Sequence, residues 1–103
     1  MKIKSIISVV LISALPFGNA FAADGQALYT SKTCGACHGL DTNSPIIPVY
    51  PKLLGQTKEY LTAQMLDIKS GARSNGQSVA MKGIMAMVSE EEIAAIAEYI
   101  AGL

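Results

Sequence analysis

Residues 34–39 read Cys34-Gly35-Ala36-Cys37-His38-Gly39, and the fold follows from what this run can hold. Cys34 and Cys37 are the only cysteines and His38 the only histidine of the 103-residue chain. A disulfide between the two thiols would close a very short loop, and because chain-entropy stabilisation grows with loop length it would restrain almost nothing. A structural zinc needs about four ligands, usually from two separated Cys/His pairs. No further Cys or His is present, and an Asp or Glu completing a site with three ligands from five consecutive residues makes poor tetrahedral geometry. Two readings remain. A redox dithiol also uses C-x-x-C, with an exposed first cysteine of low pKa, but it follows a strand within a β-α-β pattern that this chain does not display. Covalent haem attachment uses C-x-x-C-H. The two thiols reach the vinyl groups on one edge of a haem, and the adjacent histidine projects under the ring to the iron. Gly35 and Ala36 are small enough to let the backbone lie close to the porphyrin edge.

Upstream of this run, Lys2 and Lys4 precede an apolar segment from Ser5 to Leu15, and Ala20-Phe21-Ala22 places small residues where a signal peptidase reads. The pattern predicts a secretory signal peptide over residues 1–22, cut after Ala22, with a domain over 23–103. The apolar run is about half of the roughly 20 residues a spanning helix needs, and Pro16, Gly18 and Asn19 interrupt it, so no stable membrane insertion is expected after cleavage. Haem is attached covalently outside the cytoplasm, so the export signal and the motif support each other.

Without residues 1–22 the chain has 81 residues, six basic and eight acidic, for a net charge of −2. That balance excludes a strongly basic nucleic-acid binder. Phe17 and Phe21 go with the leader, leaving Tyr29, Tyr50, Tyr60 and Tyr99 as the only aromatics. A domain of this size draws only about 3–5 kcal/mol from a single core and usually needs a further staple. A haem is a large apolar disc and fills that need.

Asp24 is a plausible N-cap for a first helix from Gly25 to Lys32 that delivers the chain to the motif. From Gly39 to Gly55, Asn43, Ser44, Pro45, Pro48 and Pro51 exclude a long helix and predict an extended loop wrapped around something. Taken alone, Pro51 is as readily a turn stiffener as a site residue. Thr57 caps a helix from Lys58 to Ser70, in which Leu61, Met65 and Ile68 recur on one face and Gly71 is a stop; Met65 there is core packing. Residues 71–79 are polar and Gly-rich, and lead to Met81, Met85 and Met87. A thioether from this cluster suits the second axial position of a haem iron, and spacing alone does not choose among the three. Ser89 and Glu92 form a capping box for a last helix with Ile93, Ile96, Ala97 and Ile100 on its apolar face, ending at Gly102.

The haem motif, Tyr50-Pro51-Lys52-Leu53-Leu54-Gly55-Gln56, Met81-Lys82-Gly83, and Ser89-Glu90-Glu91-Glu92-Ile93 leading to Tyr99-Ile100 together resemble the small class I c-type cytochromes, over nearly all of residues 23–103. Within that family they resemble single domains of the bacterial diheme members. One C-x-x-C-H and no internal repeat imply a monohaem version, with one haem c per chain. The resemblance implies an all-α class I cytochrome c fold, three main helices and loops wrapped around one covalently bound haem. It implies thioether links at Cys34 and Cys37, axial ligation by His38, and a Pro51 carbonyl hydrogen-bonded to His38, with Leu53 and Gly55 completing that motif. The family's ligand methionine stands eight residues before the capping serine and is often followed by a basic residue and Gly. This points to Met81, with Met85 as second choice and Met87 as packing. The last helix is implied to cross the first near Gly25 and Tyr29, with Tyr99 at the contact.

Iron held by His38 and a methionine has no vacant position, so the implied function is one-electron transfer rather than catalysis. The expected protein is a monomeric periplasmic carrier in a respiratory chain. It takes an electron from a dehydrogenase or quinol-oxidising complex and passes it to an oxidase or reductase through transient contact. The alternatives are an electron-transfer subunit of a larger exported oxidoreductase, or a haem protein with an open sixth site acting as a peroxidase or gas binder. Lysines at 32, 52, 58, 69 and 82 supply the basic residues for a docking face.

Overall fold

The computed structural model describes residues 23–103. The expected leader and its cut after Ala22 lie outside the described residues. Five helices follow in order: α1 (Gly25–Ser31), α2 (Cys34–His38), α3 (Lys58–Ser70), α4 (Ser78–Met85) and α5 (Glu90–Ala101). The described residues contain no strand, and no helix among them is long and apolar enough to cross a membrane.

The fold is all-α, as expected, but two short helices join the three anticipated. The haem motif is itself one of them. Thr33 enters α2 in a left-handed conformation at φ 64°, and the Ala36 N–H donates to the Thr33 carbonyl at 3.1 Å. One helical turn puts residues three apart on the same face, and so brings the two thiols to one side. The second addition, α4, starts inside the segment expected to be an irregular approach to the methionines. Its N-cap, Gln77, makes no side-chain cap bond, so nothing announces the helix start, and apolar Val79, Ala80, Ile84 and Met85 sustain it.

The three anticipated helices keep close to their expected limits because their ends are chemically marked. Asp24 accepts hydrogen bonds from the Gln26 and Ala27 N–H groups, and Thr57 accepts one from Tyr60 N–H at 3.1 Å. Gly71, at φ 89°, ends α3 in the left-handed conformation that favours glycine. At α5, Ser89 Oγ accepts from Glu92 N–H and the Glu92 carboxylate accepts from Ser89 N–H, the complete reciprocal box. That bond, seconded by Lys32, holds the Glu92 carboxyl below the usual carboxylate range. Its stabilisation is therefore present above the ordinary carboxylate pKa and fades as pH falls through the lowered one. Ser89→Ala should cost about 1 kcal/mol in denaturant unfolding at neutral pH, and because the backbone N–H that holds the Glu92 carboxylate survives the change, most of that cost should persist in acid.

The core forms where α1 crosses α5, where α3 packs on α5 and where α4 packs on α3. Tyr29, Leu61, Met65, Ile68, Met85, Val88, Ile93, Ile96, Ala97 and Ile100 are buried together. A Cβ built on Gly25 would lie 2.2 Å from the Ala95 carbonyl oxygen and 2.7 Å from Tyr99 Cβ, so the α1–α5 approach is as close as backbones allow. Beside it, the Tyr29 and Tyr99 rings pack at 5.9 Å between centroids, tilted by 56°. The crossing at Gly25 with Tyr99 at the contact is the arrangement the family resemblance implied. Lys69, at the end of α3, donates to the Met85 carbonyl at 2.9 Å and the Val88 carbonyl at 2.6 Å, tying the end of α4 and the start of the turn into α5 to α3.

Candidate haem-binding site

The site is built around α2 and the loop that returns across it. His38 is buried, and its Nδ1 donates to the Pro51 carbonyl oxygen at 2.9 Å. A carbonyl can only accept, so Nδ1 carries the proton and Nε2 keeps its lone pair. The loop that brings Pro51 back is pinned to α2, since Ile46 N–H donates to the Cys37 carbonyl at 2.9 Å. The Tyr50 ring flanks the imidazole, 6.3 Å between centroids.

Cys34 and Cys37 are half-buried free thiols. Burial pushes the Cys34 thiol pKa up, and the neighbouring Cys37 adds to the effect against an opposing backbone hydrogen bond. An attacking dithiol needs the opposite, a lowered pKa, and the described residues offer no strand to place such a motif in a β-α-β unit. Zinc fares no better: no three His, Cys, Asp or Glu side chains among the described residues converge as metal ligands.

Both cysteines and His38 line a cavity of about 360 Å³ whose walls come from α1, α3, α4 and α5 as well as the loop. Leu61, Ile68, Ile96 and Ile100 make much of the wall apolar. Met81 and Met85 both line this cavity; Met87 does not, and is 68 % exposed. Met65, placed in the core by its spacing, is buried there and also reaches the cavity wall. At the margin Arg73 Nη1 donates to Gln64 Oε1 at 3.0 Å, a polar edge that no spacing in the sequence signals.

Sequence reasoning also missed Tyr29 as a site residue. Its hydroxyl donates to the Gly39 carbonyl, directly after His38, at 2.6 Å. Burial, with the nearby Cys34, Tyr99 and Asp41, pushes its pKa up to about 12, so it remains a donor across the physiological range.

A mostly apolar slot with two thiols on its wall and an imidazole lone pair to spare fits a flat apolar group linked through sulfur and ligated through nitrogen. The class this defines is the c-type haem domain. A cytochrome c family model matches residues 22–103, and the chain belongs to the cytochrome c family. It carries one haem c, attached through the Cys34-Cys37-His38 motif. It is 42 % identical over 101 residues to cytochrome c4 of Pseudomonas aeruginosa, a match covering 95 % of this chain and 47 % of that protein. Cytochrome c-553 of Nitratidesulfovibrio vulgaris is 34 % identical over 97 % of this chain and 99 % of its own length. The reduced cytochrome c4 structure from Pseudomonas stutzeri superposes with a TM-score of 0.69 and 31 % identity, covering 82 % of this chain and 49 % of that one. The chain thus spans about half the length of the cytochrome c4 relatives it matches.

Proposed function

We propose that this domain is a one-electron carrier of the periplasm, with its haem iron ligated by His38 Nε2 and by Met81. The observation that carries the reading is that His38 and Met81 line one cavity together with both attachment cysteines. When bound, the haem supplies an iron that alternates between two oxidation states. The chain supplies the rest. Cys34 and Cys37 fix the group's position. The Pro51 carbonyl holds the His38 ring in one tautomer and orientation, which keeps Nε2 free as a ligand and raises its basicity. The neutral Met81 thioether, as the second ligand, would favour the reduced state and would leave no vacant site for peroxide or gas.

Residues 1–22 then act as the export signal, cut after Ala22. The donor is a dehydrogenase or quinol-oxidising complex, and the acceptor an oxidase or reductase. Of the five lysines expected to supply a docking face, Lys52 and Lys82 stand outside the ion pairs and lysine hydrogen bonds of the described residues. Lys32 and Lys58 lie 3.6 and 3.8 Å from Glu92 and Glu98, and Lys69 is spent on main-chain carbonyls. Exposed Leu40, Ile46, Ile47 and Val49, on the loop that covers His38, offer an apolar surface suited to brief docking.

The test is the weak band near the red end of the visible spectrum that reports methionine bound to ferric haem. Met81→Ala should abolish it and lower the reduction potential. Survival of the band would transfer the role to Met85, and its absence from the wild type would overturn the carrier reading.

A further inference from the structure

Pro51 has no N–H, so the carbonyl it offers His38 must be aimed by its neighbours. Leu53 and Leu54 N–H both donate to the Thr42 carbonyl, at 2.8 and 3.1 Å. Thr42 in turn donates its N–H to the Gly39 carbonyl at 3.1 Å, the same oxygen that accepts the Tyr29 hydroxyl at 2.6 Å. Gly39 follows His38 directly. One carbonyl therefore sits where the two sides of the His38–Pro51 hydrogen bond are joined: covalently to the imidazole residue, and through Thr42 to the segment carrying Pro51.

Two further observations single out this junction. Thr42 is held at φ 62°, a left-handed conformation a β-branched residue rarely adopts, so its surroundings must impose it. Thr42 is also fully buried and Tyr29 is 1 % exposed, so water has no access to replace a lost bond there.

We propose that Tyr29 is a positioning residue for the haem ligand: its hydroxyl, acting through the Gly39 and Thr42 main chain, sets how firmly the Pro51 carbonyl holds His38 Nδ1. This rests on the reading of His38 as an iron ligand. A firm Nδ1 bond makes the imidazole more basic and favours ferric iron, so slackening it favours ferrous iron. In the haem-loaded protein Tyr29→Phe, which keeps the ring packed on Tyr99, should move the ferric-to-ferrous ratio at a fixed poise toward ferrous by about threefold. The His38 Nδ1 proton should exchange with solvent about tenfold faster by NMR. Tyr99→Phe, the matched loss of a hydroxyl from the other ring of the pair, should change neither. Thr42→Pro, which removes the N–H and the positive φ together, should act in the same direction as Tyr29→Phe if it folds.

A Tyr29→Phe protein that is less stable but keeps the wild-type potential and exchange rate would reduce Tyr29 to a packing role and overturn the proposal. So would equal shifts from Tyr29→Phe and Tyr99→Phe. A wild-type spectrum without histidine-ligated haem would overturn it too, but through the reading of His38, and the unmutated protein distinguishes that failure from the others.

Discussion

Replacing Cys34 and Cys37 together by alanine should yield a chain with the mass of the bare polypeptide and no cooperative unfolding transition. The cavity argues for both outcomes. It occupies about 360 Å³ in the middle of the helix packing. Without the group that fills it, its apolar walls would face water with no packing partner, a loss that weighs heavily in so small a domain. A domain of this size draws only about 3–5 kcal/mol from its core. The buried cluster contains one aromatic, Tyr29, and no Phe or Trp, so its side chains cannot close over the gap. The helices α3 and α4, which meet across the cavity, should lose their packing first. Each single cysteine variant keeps one thioether and should retain the fold with reduced stability. Circular dichroism and denaturant titration of the double variant decide the matter; a native helix signal with a sharp transition would show that the haem is a passenger rather than part of the core.

Gly25→Ala should produce a large loss of stability from a single added methyl group. The new Cβ meets the Ala95 carbonyl and Tyr99 Cβ, neither of which can swing aside as the end of a flexible side chain would. The helices must separate, and the Tyr29–Tyr99 contact separates with them. Overpacking of this kind costs about 2–3 kcal/mol, which at this size lowers the melting temperature by at least about 8 °C. Axial ligation should survive, because Gly25 itself does not line the cavity, while the displacement of Tyr29 should shift the ferric-to-ferrous ratio in the direction of Tyr29→Phe. Gly83→Ala, in α4 with nothing within 4 Å of the new Cβ, is the control and should be neutral or slightly stabilising. Equal melting temperatures for the two variants would refute the close-crossing argument.

The legibility of the sequence follows the chemistry of the element ends. Helices α3 and α5 could be read to within a residue because Thr57, Gly71, Ser89 and Glu92 mark where backbone groups need partners. Helix α4 could not, since Gln77 caps nothing and the preceding glycines and polar residues read as loop. The haem motif could be read because covalent chemistry demands its spacing. The hydrogen bond between His38 and Pro51 could be expected only through family resemblance, as a proline thirteen residues away carries no local signal of its carbonyl's direction. The Tyr29–Gly39–Thr42 junction lay beyond both routes. It depends on left-handed backbone at Thr42 and Gly39, and one of these is a threonine that residue preferences would never place there.

The Lys69 clamp makes the two ends of α4 unequal. The far end of α4 is tied through Met85 and Val88 to α3, whereas its first turn, ahead of Met81, has no side-chain cap. Amide hydrogen exchange should therefore be faster in the first turn of α4 than at its tied end, and equal rates would show that Lys69 holds nothing. His38 is held by its own helix, by the returning loop and by covalent continuity with both cysteines. The methionine side of the site thus hangs on a helix secured at one end, and the histidine side on a helix and a loop bonded to each other.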